Sequence, residues 1–289
     1  MNNIFKVSRT TIKKIIRLIL FLVILAIFMR AFFLGAFRIP TSSMANTLYP
    51  GDFIIVNIAA YKFSTPRQIP ILGLSIPSLN IFNTGEPEIN DLIVFKFPEI
   101  NSGDAVFNTS NIVKRIVALP GDTLQIINKK IFVNGKEIKL PETVRRSFNI
   151  IKLAGEEDEG IFYSGTGWNS DNYGPVRVPA VGDTLNISTD NIDVWKRLIV
   201  YEYEEKVVRK EGSVITIAGK PVRNYVVKKN HYFVIGDNFN NSRDSRYFGF
   251  VNEDMILGKA MFIYLSIDNA KSGNGFFSGI RWNRIFKGM

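Results

Sequence analysis

Apolar and polar positions divide this chain into two unlike parts. Between Ile15 and Phe37 almost every position is apolar, and Leu18 to Met29 is unbroken. That run of about 23 residues exceeds the ~20 that carry a helix across a hydrocarbon core. Beyond it, short β-branched and aromatic blocks alternate with turn residues. Asp52 to Asn57 and Asp91 to Pro98 predict strands. Val106 to Val117 predicts another, followed by Leu-Pro-Gly-Asp. Ile131 to Ile138 predicts a hairpin, because Asn134-Gly135 suits a type I′ turn. A strand opens at His231 and runs into the polar turn of Gly236 to Gly249. Ile256 to Ile267 predicts a closing strand. Ser64 to Pro87, rich in Pro, Ser and Asn, reads as a long loop, and so does the acidic, Gly-rich Glu156 to Gly174. Gly121-Asp-Thr-Leu-Gln-Ile recurs as Gly182-Asp-Thr-Leu-Asn-Ile, and Asn134-Gly-Lys resembles Ala218-Gly-Lys. Two similar hairpin units and chance both account for this echo. The expected fold class is mainly β: an antiparallel sheet or barrel core with a β-rich insert at 126–228, anchored by one N-terminal transmembrane α-helix.

Charge orients this arrangement. The formal net charge is +10, and no Asp or Glu precedes Asp52. Lys6, Arg9, Lys13, Lys14 and Arg17 flank the start of the apolar run, which favours a cytoplasmic N-terminus. Residues 1–14 are then the cytoplasmic basic segment, 15–37 the membrane span, and 38–289 a domain on the outer face. Arg30 lies near the distal end of the run, where a long side chain can snorkel to the headgroups. A cleaved signal peptide is the competing reading. The run is longer than a usual signal-peptide core and no small-x-small site follows it, so a retained anchor is expected. Because the bases concentrate at the membrane flanks, the expected partner is the lipid bilayer and not nucleic acid. The tail after Asp268 carries Lys271, Arg281, Arg284 and Lys287 among four aromatics and no acid. It suits either lipid headgroups or docking on the core. The apolar stretch Ile69 to Leu79 has the same two fates.

The chain has no Cys and a single His, His231. Thiol nucleophiles, disulfides and multi-His metal sites are thereby excluded, and nothing points to a cofactor. His231 opens a strand well before the polar turn and reads as structural. The hydroxyl-rich stretch Ile39 to Asp52 lies just past the anchor. A Ser there needs a base, and without a usable His the candidates are Lys, Asp and Glu. Lys114 is the best placed. In a strand it shares a face with Ile112 and Ile116, an apolar setting that disfavours the ammonium form. A lysine snorkelling from a sheet edge explains the same pattern.

Three segments in order change the weighing. Pro40-Thr-Ser-Ser43-Met44-Ala-Asn-Thr-Leu48 resembles the nucleophile box of the bacterial type I signal peptidases, membrane-anchored Ser-Lys proteases. Lys114-Arg115-Ile-Val-Ala-Leu-Pro-Gly-Asp122 resembles their base box, and Gly236 to Gly249 their C-terminal box. Asn90-Asp-Leu-Ile-Val-Phe matches a fourth block. The resemblance implies a serine endopeptidase that removes signal peptides from exported preproteins at the outer face of the cytoplasmic membrane. It implies Ser43 as nucleophile and Lys114 as general base. It further implies Ser242 as a hydrogen-bond partner that orients the Lys114 amine, and the Thr41 hydroxyl with the Ser43 N–H as the oxyanion hole. Arg115, Asp237, Asp244 and Arg246 become bracing ion pairs, and Ile39, Met44 and Ile112 walls of the substrate pockets. The substrate is expected to add as a strand between Phe37–Pro40 and Asn111–Lys114. The chain departs from the family at Asn46, where Pro is usual, at Phe248, where Trp is frequent, and at Thr41, where Ser is common. The alternative readings are a self-cleaving Ser-Lys repressor, which lacks an anchor, and a membrane-tethered, non-catalytic β-domain that binds export substrates.

Overall fold

The structure is a computed structural model and describes residues 9–66, 79–99, 108–203, 208–268 and 278–289. Helix α1 spans Arg9–Phe32 and buries no residue against the rest of the chain. It starts and stops earlier than the apolar run. After Phe33 the chain turns into strand β1, Leu34–Arg38, which pairs antiparallel with β2, Asp52–Asn57. Leu34 to Phe37 thus meet their backbone hydrogen bonds in a sheet and not in a helix. The short strands β3, Lys62–Ser64, and β4, Asn80–Asn83, pair with each other, and β4 falls inside the stretch expected to be loop. Their Phe63 and Phe82 rings stack at 5.2 Å, and Phe63 stacks on Phe32 of α1 at 5.8 Å. Residues 69–78, expected to fold onto the core or meet lipid, lie outside the described residues.

Strands β5, Leu92–Glu99, and β6, Asn108–Ala118, follow, then the insert. The insert opens with β7, Thr123–Ile127, β8, Lys130–Val133, and β9, Lys136–Glu137. The hairpin turn between β8 and β9 places Asn134 at φ 51° and Gly135 at φ 78°, as Asn-Gly permits. Next come β10, Tyr173–Arg177, and β11, Thr184–Asn186. Helix α2, Ile192–Tyr203, has no counterpart in the expected pattern. It precedes β12, Val208–Glu211, β13, Val214–Ile217, β14, Lys220–Pro221, and β15, Asn224–Val226. The sequence echo proves local. Gly121 and Gly182 take φ 87° and 89°, and Ala218 and Gly219 repeat the dihedrals of Asn134 and Gly135. The pairing differs, because β7 joins β8 and β10 whereas β11 joins β15.

The chain closes with β16, His231–Ile235, the one-turn helix α3, Ser245–Phe248, then β17, Val251–Asn252, and β18, Ile256–Ser266. The main sheet has seven strands in the order β1-β2-β18-β5-β6-β16-β17, and every pairing is antiparallel. Its central strand β5 is buried on both faces, which explains its unbroken apolar run. Leu92 and Val94 join Ile39, Met44, Leu48 and Ile54 in one core cluster. Ile93 and Phe95 join Ile116, Val234 and Phe248 in another. The described tail docks on the core. Phe286 N–H donates to Ile263 O at 2.7 Å, and Ile263 N–H to Lys287 O at 3.0 Å.

Candidate active site

Ser43 stands in a tight turn between β1 and β2. Ala45 N–H donates to Ser42 O at 2.9 Å, and Leu48 N–H to Met44 O at 2.7 Å. Asn46 closes the turn at φ 80°. That value is out of reach for proline, whose ring holds φ near −65°. The loop therefore follows a path that the usual family residue does not permit. Met44 and Leu48 anchor it in the core.

Lys114 lies on β6 opposite Ile93 of β5, so it shares a sheet face with an apolar neighbour. It is 2% exposed. Its Nζ donates to Ser43 Oγ at 2.5 Å. Burial pushes the amine down from 10.5 to about 8; the Asp244 carboxylate pulls it up, Arg246 pushes it down, and Asp237 pulls it up. His231 is buried, its Nδ1 lies 2.9 Å from Lys229 O, and burial lowers its pKa to about 4. It has no part in this cluster and is structural, as its position in the chain suggests.

A second network joins the nucleophile turn to the C-terminal box. Asn238 N–H donates to Ser43 O at 3.0 Å, and Asn238 Nδ2 to Ser42 O at 3.1 Å. Asp237 N–H points at Met44 Sδ, 3.4 Å away. The Asp237 carboxylate takes a two-pronged hydrogen bond from Arg115, Nε at 2.8 Å and Nη2 at 2.6 Å. It also accepts from Thr47 Oγ1 at 2.5 Å. Asp244 is fully buried; burial alone would raise its carboxyl, but the Arg246 guanidinium holds it below its ordinary value. Arg246 also donates to Ser170 O and Phe239 O, tying the insert to this box. Gly236 sits in a narrow gap. A Cβ built there would lie 2.1 Å from Ser242 Oγ and 2.6 Å from Ser43 O. Thr47, Gly236 and Asn238 lie inside the quoted boxes, yet no role follows from their spacing; the Thr47–Asp237 and Asn238–Ser42 bonds join residues 190 and 196 positions apart.

Some expected relations are not made. Among the described residues Ser242 Oγ is buried without a hydrogen-bond partner, so the bond to the Lys114 amine is not made. Its nearest structural consequence is the contact with Gly236. Thr41 Oγ1 is 3.4 Å from Ser43 Oγ and exposed. Ile39 and Met44 pack in one cluster, whereas the half-buried Ile112 packs against the other. The three therefore do not form a single wall. A cavity of about 320 Å³ lies in the insert, between Trp168, Arg177 and Trp195, and none of the candidate site residues lines it. Among the described residues no group of three or more His, Asp or Glu side chains is placed to hold a metal ion.

A buried amine touching a serine hydroxyl is an arrangement for acyl transfer. The family described as signal peptidase, peptidase S26, matches residues 12–265. A signal peptidase I of Buchnera aphidicola subsp. Schizaphis graminum is 31% identical over 274 residues, 89% of this chain and 75% of that protein. A signal peptidase I of Aquifex aeolicus is 32% identical over 265 residues, 86% of this chain and 82% of that protein. A signal peptidase I crystal structure from Enterococcus faecalis V583 aligns with 61% of this chain and 97% of its own at 20% identity. Its TM-score of 0.31 carries no argument.

Proposed function

The chain belongs to the signal peptidase family, peptidase S26, and from that premise we propose that it cleaves signal peptides from exported preproteins with Ser43 as nucleophile and Lys114 as general base. The observation that carries the reading is the 2.5 Å contact between Lys114 Nζ and Ser43 Oγ, with the lysine almost wholly buried. A protonated lysine in that position has no lone pair with which to take the Ser43 proton. The apolar surround makes the neutral amine accessible near pH 8.

In the proposed cycle Ser43 Oγ attacks the scissile carbonyl carbon while its proton moves to Lys114 Nζ. The tetrahedral intermediate collapses, and the departing amine of the mature protein takes that proton. Water then gives a proton to Lys114 and attacks the acyl ester; as the second tetrahedral intermediate collapses, Lys114 passes that proton to the departing Ser43 Oγ, and the signal peptide leaves as a carboxylic acid that ionises in solvent. The Ser43 N–H and the Thr41 hydroxyl are the proposed oxyanion donors, each worth about 3–4 kcal/mol in other proteases. The 3.4 Å approach of the two hydroxyls supports the second. Ser242 is kept as a proposed orienting group that bonds the amine once substrate is bound. The substrate strand is proposed to add between Phe37–Pro40 and Asn111–Lys114, with Ile39 and Met44 forming apolar walls and Ile112 on the flanking strand. Arg115–Asp237 and Asp244–Arg246 brace the site from buried positions.

Helix α1, 24 residues long, reaches about 36 Å and suits a single span. We place its basic start in the cytoplasm and the β-domain on the outer face. Protease added outside spheroplasts should then digest the β-domain and spare residues before α1. The enzymatic reading is tested by incubating the purified full chain with a preprotein and measuring the mass of the new N-terminus. Ser43→Ala and Lys114→Ala should each lower cleavage at least 1000-fold while thermal unfolding stays cooperative. Cleavage retained by either folded variant would refute the dyad.

A further inference from the structure

The nucleophile turn is gripped from two sides, and the second grip comes from the C-terminal segment. Asp52, at the end of that loop, is fully buried. Its carboxylate accepts from Tyr49 N–H at 2.7 Å, Ser266 Oγ at 2.6 Å, and Arg284 Nη2 and Nε at 2.6 and 3.1 Å. Arg281 Nη2 stands 3.5 Å from it and 2.7 Å from Pro50 O. Arg284 does one thing more. Its Nη2 donates to Thr47 O at 2.9 Å, inside the turn that begins at Ser43. Its guanidinium is buried, 4.3 Å from the centre of the Tyr49 ring. Thr47 passes the grip on, because its hydroxyl holds Asp237, which holds Arg115, the neighbour of Lys114.

We propose that Arg284 is a positioning residue of the cleavage reaction: by bridging the Thr47 carbonyl and the Asp52 carboxylate it keeps Ser43 Oγ within reach of Lys114. The proposal rests on the reading of Ser43 as nucleophile. The physical reason is geometric. One planar guanidinium meets two acceptors at a set angle, and a lysine ammonium supplies the charge without that fork. Arg281 and Ile267 N–H tie Pro50 O and Gly51 O at the far end of the turn, whereas Arg284 reaches back to Thr47 O, and an error of about 1 Å at a reacting group costs on the order of 100-fold in rate. Among the described residues the side-chain hydrogen bonds of Arg284 go to Asp52 and Thr47 and not to the strands proposed to hold the substrate, so the loss belongs in kcat and not in KM.

The test uses the full chain and a preprotein, with kcat, KM, the pH profile and Tm measured for Arg284→Lys and Arg284→Ala. Arg284→Lys should keep Tm within a few degrees and KM within twofold, while kcat falls ten- to hundredfold. The acid limb of kcat/KM should stay where it is, because the burial of Lys114 is untouched. Arg284→Ala should show the same split with a lower Tm; should it fail to fold, Arg284→Lys alone decides. A folded Arg284→Lys with kcat within twofold of the parent overturns the proposal, and so does activity that follows the folded fraction alone. Ser43→Ala is measured beside them. If it still cleaves, the reading of the site itself fails. If it is inactive while Arg284→Lys runs at full rate, only the role of Arg284 is lost.

Discussion

In the proposed mechanism Lys114 is the residue on which the chemistry turns. Its ordinary value of 10.5 falls to about 8 in the fold, chiefly through burial. With the neutral amine as the proposed working form, kcat/KM should drop tenfold per pH unit below about 8 and level off above it. A pH profile with no acid limb between 6 and 8 would count against the assignment. The same shift bears on stability. Between about 8 and 10.5 the unfolded chain holds this proton and the folded chain does not, so the fold gains stability as pH rises through that window. Asn46 offers a second test at this scale. Its φ of 80° suits Gly and Asn and excludes Pro. Asn46→Gly should change stability by less than about 1 kcal/mol, whereas Asn46→Pro should cost at least about 2–3 kcal/mol in denaturant unfolding and depress cleavage with it. The substitution that restores the usual family residue is thus the damaging one here.

Elements meet at Gly236, where β16 ends beside the nucleophile turn. No side chain fits between Ser43 O and Ser242 Oγ. Gly236→Ala should push the turn away from β6 and reduce kcat at least tenfold, with far-UV circular dichroism unchanged. Alternation made most of the main sheet legible. Asp52, Ile54 and Val56 are buried on β2 while the positions between them are half-exposed. The unbroken run on β5 was legible as a strand, and the structure adds that it is buried on both faces. Helix α2 was not legible because Ile192, Val194, Leu198, Ile199 and Val200 are β-branched or aliphatic and show no alternation that sets helix against strand. Its helical state is decided by packing of Ile192, Leu198 and Ile199 into the insert core. The candidate site shows the same limit. Motifs bring Ser43 and Lys114 under suspicion, but the Thr47–Asp237 and Arg284–Asp52 contacts depend on tertiary approach. The tail carries an aromatic and basic pattern that suits lipid equally well, and its hydrogen bonds to β18 decide the outcome for the described residues.

On the scale of the whole molecule, the junction between helix and sheet is short and stiff. Phe33 alone separates α1 from β1. Its N–H donates to Met29 O at 2.9 Å, and its carbonyl accepts from Ile58 N–H at 2.9 Å. The Phe32–Phe63–Phe82 stack adds a lateral brace. A Gly/Ser spacer of about ten residues placed between Phe33 and Leu34 would remove this stiffness. Cleavage of a short soluble peptide should stay within twofold, while a membrane-inserted preprotein should be cut more slowly and at more than one bond. Unchanged site choice would show that the junction has no such role. In the proposed membrane setting the brace would make the protein a ruler. With the proposed site at a set height above the lipid, a preprotein would be judged by how far its scissile bond emerges from the bilayer as well as by the residues around it. Two substrates with the same residues at the cut but different spacing from their apolar segment are then different substrates.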